Sequence, residues 1–202
     1  MSVLHTADPL EDAGALTAQR YMFQYCCAAA RLLAALATGT RCELICEWHE
    51  DYLVVTPDGL EAVSVKHRED HLPAWSIATL CSKGQLEHLF NTFRGGEVSS
   101  CCLETNRAHT AGDLWSAERT SRDRARNELA ERLGKSRAEI DPFVDALQIS
   151  SPPVPDRQYI EAAYAAQFAA PALDRLGIVH VSPQEAMTTA YQIVGRASVN
   201  RV

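Results

Sequence analysis

No run of about 18 consecutive apolar residues occurs in the 202-residue chain, the length a helix needs to cross a bilayer. Met1-Ser-Val-Leu-His-Thr-Ala-Asp8 also lacks the basic-then-apolar pattern of a secretory leader. No membrane association and a cytoplasmic home are therefore expected. The seven cysteines form no Cys-x-x-Cys pair. An odd number in a chain without an export signal argues for reduced thiols packed as small hydrophobes. Cys42, Cys46 and His49 have no second ligand pair at matching spacing, which argues against zinc. A Gly-x-x-x-x-Gly-Lys-Ser/Thr phosphate loop and a Gly-x-Ser-x-Gly elbow are both absent, which removes P-loop and serine-hydrolase chemistry. Among the histidines only His67 and His71 stand four apart, in a segment that reads as a loop, so they are expected at the surface. Positive charge is also scarce: 19 Lys and Arg face 26 Asp and Glu, a net charge of −7. That balance argues against a chain whose main task is to grip nucleic acid, since phosphate neutralisation dominates such affinity.

With 47% hydrophobic and 22% charged residues, the chain has enough apolar material for one substantial core and a small appended helical region. Its most informative stretch is Glu47-Trp-His-Glu-Asp51, followed after a turn by Val63-Ser-Val-Lys66-His-Arg68. Leu53-Val-Val55 is a short strand-like run, and Pro57-Asp-Gly59 returns the chain antiparallel. Side chains alternate along a strand, so Ala62, Ser64 and Lys66 share one face and Glu61, Val63 and Val65 the other. Carboxylates and a lysine thus come to adjacent strands. Phosphodiester hydrolysis needs that combination: hard oxygen ligands for a cation such as Mg²⁺, and a cationic or proton-transferring group beside the phosphorus.

These residues resemble the PD-(D/E)xK, or restriction-endonuclease-like, nucleases, whose signature is an acid on one strand and a (Glu, Asp or Gln)-x-Lys triplet on the next. The chain is most similar to the double-stranded-DNA nuclease domain of bacterial anti-phage effectors, as in CBASS nucleases fused to a SAVED sensor and the Lamassu nuclease subunit. The resemblance runs through Arg20-Tyr-Met-Phe-Gln24-Tyr25, Glu47, Glu50-Asp51, Val65-Lys66-His67, Trp75-Ser76, Lys83-Gly-Gln85-Leu86 and Leu103-Glu-Thr-Asn106, roughly the first half of the chain. It implies that Asp51 binds Mg²⁺ or Mn²⁺, helped by the Val65 carbonyl and by Glu47 or Glu50. Lys66 then positions and polarises the attacking water, with Gln24 and His67 as further contacts. One position departs from the pattern. Ser64 stands where the family has Gln and the wider superfamily Glu or Asp, and a neutral hydroxyl is a weaker ligand for a divalent ion.

The remaining pattern fits an α/β fold: a restriction-endonuclease-like central mixed sheet flanked by helices, with a C-terminal helical region. A capping signature, Asp8-Pro-Leu-Glu11, opens the chain. A helix over about 17–38 carries the stripe Met22, Cys26, Ala29, Leu33 and Leu36 and ends at Gly39. Gln24 lies off that stripe, either as a surface amide or as a group approaching the pocket. Strands are predicted at 42–47, 52–55, 61–66 and 98–103, and one helix at about 74–93. Residues 1–112 are read as the nuclease core. Residues 113–202 are read as a helical insert and C-terminal helical region packed on it, with Ser150-Ser-Pro-Pro-Val-Pro155 as a rigid connector. Residues 159–176 are read as helical with a kink near Pro171, and 183–195 as the last helix, capped from Ser182.

From Ala117 to Arg137 seven cations face four acids, and Gly134-Lys-Ser136 sits where a helix-turn-helix would turn. The second helix of that pair carries three acids and a proline, which suits groove reading poorly.

The expected activity is that of a metal-dependent double-stranded DNA endonuclease effector in anti-phage defence. It would be active as an oligomer or with a sensor or regulatory partner, an SMC-like or SAVED-type component. Two alternatives belong to other classes: a catalytically degenerate nuclease-fold interaction module, and a helix-turn-helix DNA-binding regulator.

Overall fold

The hairpin at the centre of the chain forms because a β-branched run on each side meets at Pro57-Asp58, with Gly59 at φ +137°, a conformation open to glycine. A Cβ there would also stand 2.4 Å from the Ser99 hydroxyl. The computed structural model describes residues 13–46, 51–69, 71–151 and 159–199. Its elements are α1 (Ala13–Thr38), β1 (Glu43–Cys46), β2 (Tyr52–Thr56), β3 (Gly59–Lys66), α2 (Ile77–Ser82), α3 (Gln85–Arg94), β4 (Ser100–Thr105), a 3-10 turn (Ala111–Trp115), α4 (Arg119–Leu133), α5 (Arg137–Ala146), β5 (Leu147–Ser150), α6 (Ile160–Tyr164), a π-helical turn (Ala165–Ala169), α7 (Ala170–Leu176) and α8 (Pro183–Val199).

The strands make one mixed sheet in the order β1-β2-β3-β4-β5. β1, β2 and β3 are an antiparallel meander, while β4 joins β3 in parallel and β5 joins β4 in parallel. Alternation sends Leu53, Ala62, Cys101 and Leu103 into a core shared with α2 to α5, and Tyr52, Val54, Val63, Val65 and Cys102 into one shared with α1 and α6 to α8. Each fully buried Leu or Phe in these layers stabilises the fold by about 1.5–3 kcal/mol. The architecture is the α/β class expected, a mixed sheet flanked by helices. Among the described residues no helix is long and apolar enough to cross a membrane.

Several local expectations are corrected. The predicted helix over 74–93 is two helices, because Gly84 adopts a left-handed conformation (φ +74°) between α2 and α3. The buried face of α1 includes Phe23, Gln24, Cys27, Ala30 and Leu33; of the predicted stripe Ala29 and Leu33 are buried, whereas Met22 and Leu36 are about half exposed. Helical spacing alone leaves the phase open by one residue, and contact with the sheet chooses it. β4 lies two residues later than predicted. The region beyond residue 113 is not wholly helical: Leu147–Ser150 adds a fifth strand, since α5 ends against the sheet with Leu103 opposite Ile149. Near Pro171 the expected interruption is a π-helical turn over Ala165–Ala169. The proline lacks an N–H and its ring crowds the carbonyl four residues back. α8 continues past Gly195 to Val199, with that glycine facing the Tyr25 ring. The Asp8-Pro-Leu-Glu11 signature and most of the Pro-rich connector lie outside the described residues.

A buried polar cluster ties α1 to the sheet. Arg31 donates to Glu104 Oε1 at 2.8 Å and to Cys102 Sγ at 3.0 Å, and lies 3.4 Å from Glu61. Burial opposes the guanidinium's charge, yet Glu104 holds its pKa above the ordinary arginine value. None of the seven cysteines is in a disulfide. Burial pushes the thiols of Cys27 and Cys102 up, and that of Cys81 to about 11, which favours the thiol over the thiolate.

Candidate active site

Where the strands of the hairpin end, side chains that are far apart in sequence meet. Tyr52 pairs with Val63, so antiparallel register sets Asp51 opposite Ser64. The Asp51 carboxylate accepts three bonds on Oδ2: from the Val65 N–H, from the Ser64 hydroxyl at 3.3 Å and from Lys66 Nζ at 3.3 Å. Successive residues of β3 therefore converge on one carboxylate oxygen. Ser64 is buried, and the Asp51 and Lys66 side chains are each about a quarter exposed. On the other side α1 brings Gln24, itself buried, whose amide nitrogen donates to the Asp51 main-chain oxygen at 3.0 Å. Gln24 thus fixes the backbone at the carboxylate rather than touching the carboxylate. Val65 enters this arrangement through its N–H. Glu47 and Glu50, expected beside Asp51, lie outside the described residues.

The convergence opens into a cleft of about 680 Å³ lined by residues from α1, β3, the loop after it and the α2–α3 turn. His67 lines it and stands edge-on to Phe23, with ring centroids 6.1 Å apart. Four further contributors, Arg68, Asn106, Arg20 and Lys83, escaped the site reading of the sequence. Arg68 lies 4.5 Å over the Trp75 ring and donates to the Ala74 carbonyl at 3.4 Å. Its backbone is clamped from both sides by Asn106, whose Oδ1 accepts from Arg68 N at 2.7 Å and whose Nδ2 donates to Arg68 O at 2.7 Å. Asn106 is fully buried and continues the parallel ladder of β4 beside Lys66, so it fixes how the chain leaves β3. Arg20 and Lys83 stand at the rim, both exposed. Their signal in the sequence was position within the motifs Arg20-Tyr-Met-Phe-Gln24 and Lys83-Gly-Gln85, but the side of the helix they occupy follows only from packing.

No group of three or more His, Cys, Asp or Glu that could hold a metal occurs among the described residues. Where β2 and β3 meet they supply one carboxylate, Asp51, with one oxygen carrying the three donors. This is compatible with a cation such as Mg²⁺, which keeps several waters and takes one or two carboxylates.

The predicted helix-turn-helix pair is present as α4, Gly134 (φ +63°) and α5, with Ser136 capping α5. Several of its arginines are paired with acids: Arg126 with Asp141 and Asp145, Arg137 with Asp123 and Asp141, Arg132 with Glu128. The inner faces of both helices are buried in the core through Leu129, Ile140 and Phe143.

Residues 12–92 match the family model described as "Cap4, dsDNA endonuclease domain"; that segment contains Gln24, Asp51, Ser64, Val65, Lys66 and Lys83. No curated protein matches the chain. Among solved structures it is similar to the Moraxella osloensis Cap4 SAVED/CARF-domain containing receptor, at 11% sequence identity and a TM-score of 0.57, over 88% of this chain and 43% of that one. The chain therefore spans less than half the length of that receptor, and at this identity the likeness establishes the fold.

Proposed function

We propose that the chain is a metal-dependent double-stranded DNA endonuclease of the anti-phage effector kind, switched on by assembly or by a sensor partner. The observation that carries this reading is the convergence of Ser64, Val65 and Lys66 on the Asp51 carboxylate at the mouth of an open cleft. The match of residues 12–92 to a double-stranded DNA endonuclease model supports it.

In this reading Asp51 would hold Mg²⁺ or Mn²⁺ with the Val65 carbonyl and Glu47 or Glu50. A bound divalent ion supplies Lewis-acid polarisation of the phosphoryl oxygen and a more acidic water. The chain's own residues do the rest. Ser64 and the Val65 N–H orient the carboxylate, so the hydroxyl acts as a donor to Asp51 and not as a ligand. Lys66 sits where it can both hold the attacking water and neutralise charge growing on the phosphate. Gln24 keeps the Asp51 backbone in place, and His67 forms part of the wall.

The same Ser64 contact favours a second reading, a catalytically degenerate interaction module. Three donors already satisfy one carboxylate oxygen without a cation, and a serine replaces an acid. Plasmid cleavage with Mg²⁺ or Mn²⁺, against EDTA and Lys66→Ala controls, separates the two. Loss of the Lys66 ammonium lowers cleavage by about 100-fold or more while the circular dichroism spectrum stays unchanged. Magnesium-dependent thermal stabilisation should disappear in Asp51→Ala. Equal cleavage by Lys66→Ala would refute the assignment, and no cleavage with either metal in any assembly state would leave the interaction module.

A further inference from the structure

The net charge of −7 is hard to reconcile with DNA as a ligand unless positive charge is gathered in one place. The cleft gathers it. Among the described residues, Arg20, Lys66, Arg68 and Lys83 line it against two carboxylates, Asp51 and Glu69, and Asp51 is already engaged by Lys66. Arg68 is held over Trp75 and makes no ion pair with a described residue. Arg20 and Lys83 make no ion pair with any described residue, and both are exposed. The cation-rich segment of α4 and α5 differs: four of its arginines (Arg119, Arg126, Arg132 and Arg137) are closed onto neighbouring acids.

Position adds to composition. Arg20 comes from α1, which packs on one face of the sheet, and Lys83 from the α2–α3 turn, which packs on the other. The two unpaired cations therefore flank the mouth at which Asp51 and Lys66 stand. A polyanion laid across that mouth meets a cation on each side and the reactive pair between them.

We infer that Arg20 and Lys83 form a two-sided phosphate clamp that seats the backbone of duplex DNA over the Asp51–Lys66 pair. The inference rests on the proposed nuclease reading and specifies how the substrate is held. Both groups are flexible cations at an open rim, so they contact phosphates and read no bases, and binding is indifferent to sequence.

The test is fluorescence anisotropy with a short labelled duplex in EDTA, where no cleavage occurs, titrated with salt for the wild-type chain and for Arg20→Ala/Lys83→Ala. Each lost phosphate contact lowers the slope of log affinity against log salt by about 0.9, so the double variant is expected to bind more weakly with a slope shallower by about 2. Arg20→Lys/Lys83→Arg restores the charges and is expected to restore the slope. Arg119→Ala/Arg132→Ala, which removes two arginines closed onto acids on α4, is expected to leave it unchanged. An unchanged slope in Arg20→Ala/Lys83→Ala overturns the clamp, and so does absence of wild-type binding at the lowest salt. In both cases plasmid cleavage by the wild-type chain decides separately whether the nuclease reading survives.

Discussion

Asn106 shows how much one side chain can carry at this site. Its amide makes two 2.7 Å bonds to the backbone of Arg68 in a fully buried position, and the ladder bond from its own N–H reaches Lys66 O at 3.3 Å. Removing the amide strands a donor and an acceptor inside the protein. Asn106→Ala should therefore cost about 1–3 kcal/mol of stability, measured by urea unfolding. Because the clamp also sets where Lys66 and His67 emerge, cleavage at a temperature where the variant is fully folded should fall as well. Undiminished cleavage by the folded variant would restrict Asn106 to a structural part. The residues of the motif were visible in the sequence: Ser64 and Lys66 share a face by strand alternation, and Asp51 ends the acidic stretch before the preceding strand. The clamp was not, because a parallel strand some 40 residues later supplies it, and no local periodicity reports such a partner.

At the scale of elements, the helix caps were the most readable features. Ser136 with Glu139 and Ser182 with Glu185 make reciprocal capping bonds, using only residues three apart, so sequence suffices to find them. The Ser136 backbone N–H, and then its hydroxyl, hold Glu139 below the usual glutamate range, and Ser182 does the same for Glu185. A folded-state pKa below the unfolded value of about 4.3 means that the contribution is complete above that pH and is lost as pH falls through the folded value. Thermal stability should therefore decline below about pH 4, and Glu139→Gln/Glu185→Gln should flatten part of that decline in melts followed by circular dichroism. An identical pH profile in the double variant would contradict the linkage. Less readable were the phase of α1 and the break at Gly84, both decided by what the helices pack against.

At the scale of the whole molecule, one Asp51–Lys66 pair serves each chain, whereas a duplex has two strands to cut. In the proposed nuclease reading one pair cuts one strand at a time, so nicked plasmid should precede linear product and a second chain would complete the double-strand break. The rate of linearisation should rise more steeply than in proportion to chain concentration, with light scattering recording assembly over the same range. Linearisation strictly first order in a verified monomer would refute this. Assembly would also place two cation-rimmed clefts along one duplex, offsetting the acidity of the remaining surface.

Strand alternation, turn chemistry and capping depend on neighbours within a few residues, and so the amino-acid sequence determined the hairpin, the sharing of a face by Ser64 and Lys66, the caps and the α/β class. Contacts that join distant segments have no such local imprint. Only the tertiary structure decided that Val65 reaches Asp51 through its N–H, that Gln24 holds the Asp51 backbone, that Leu147–Ser150 completes the sheet and that Arg20 and Lys83 line the same cleft. Each of these depends on burying a particular face of one element against another, which is a property of the packed core and not of any window of sequence.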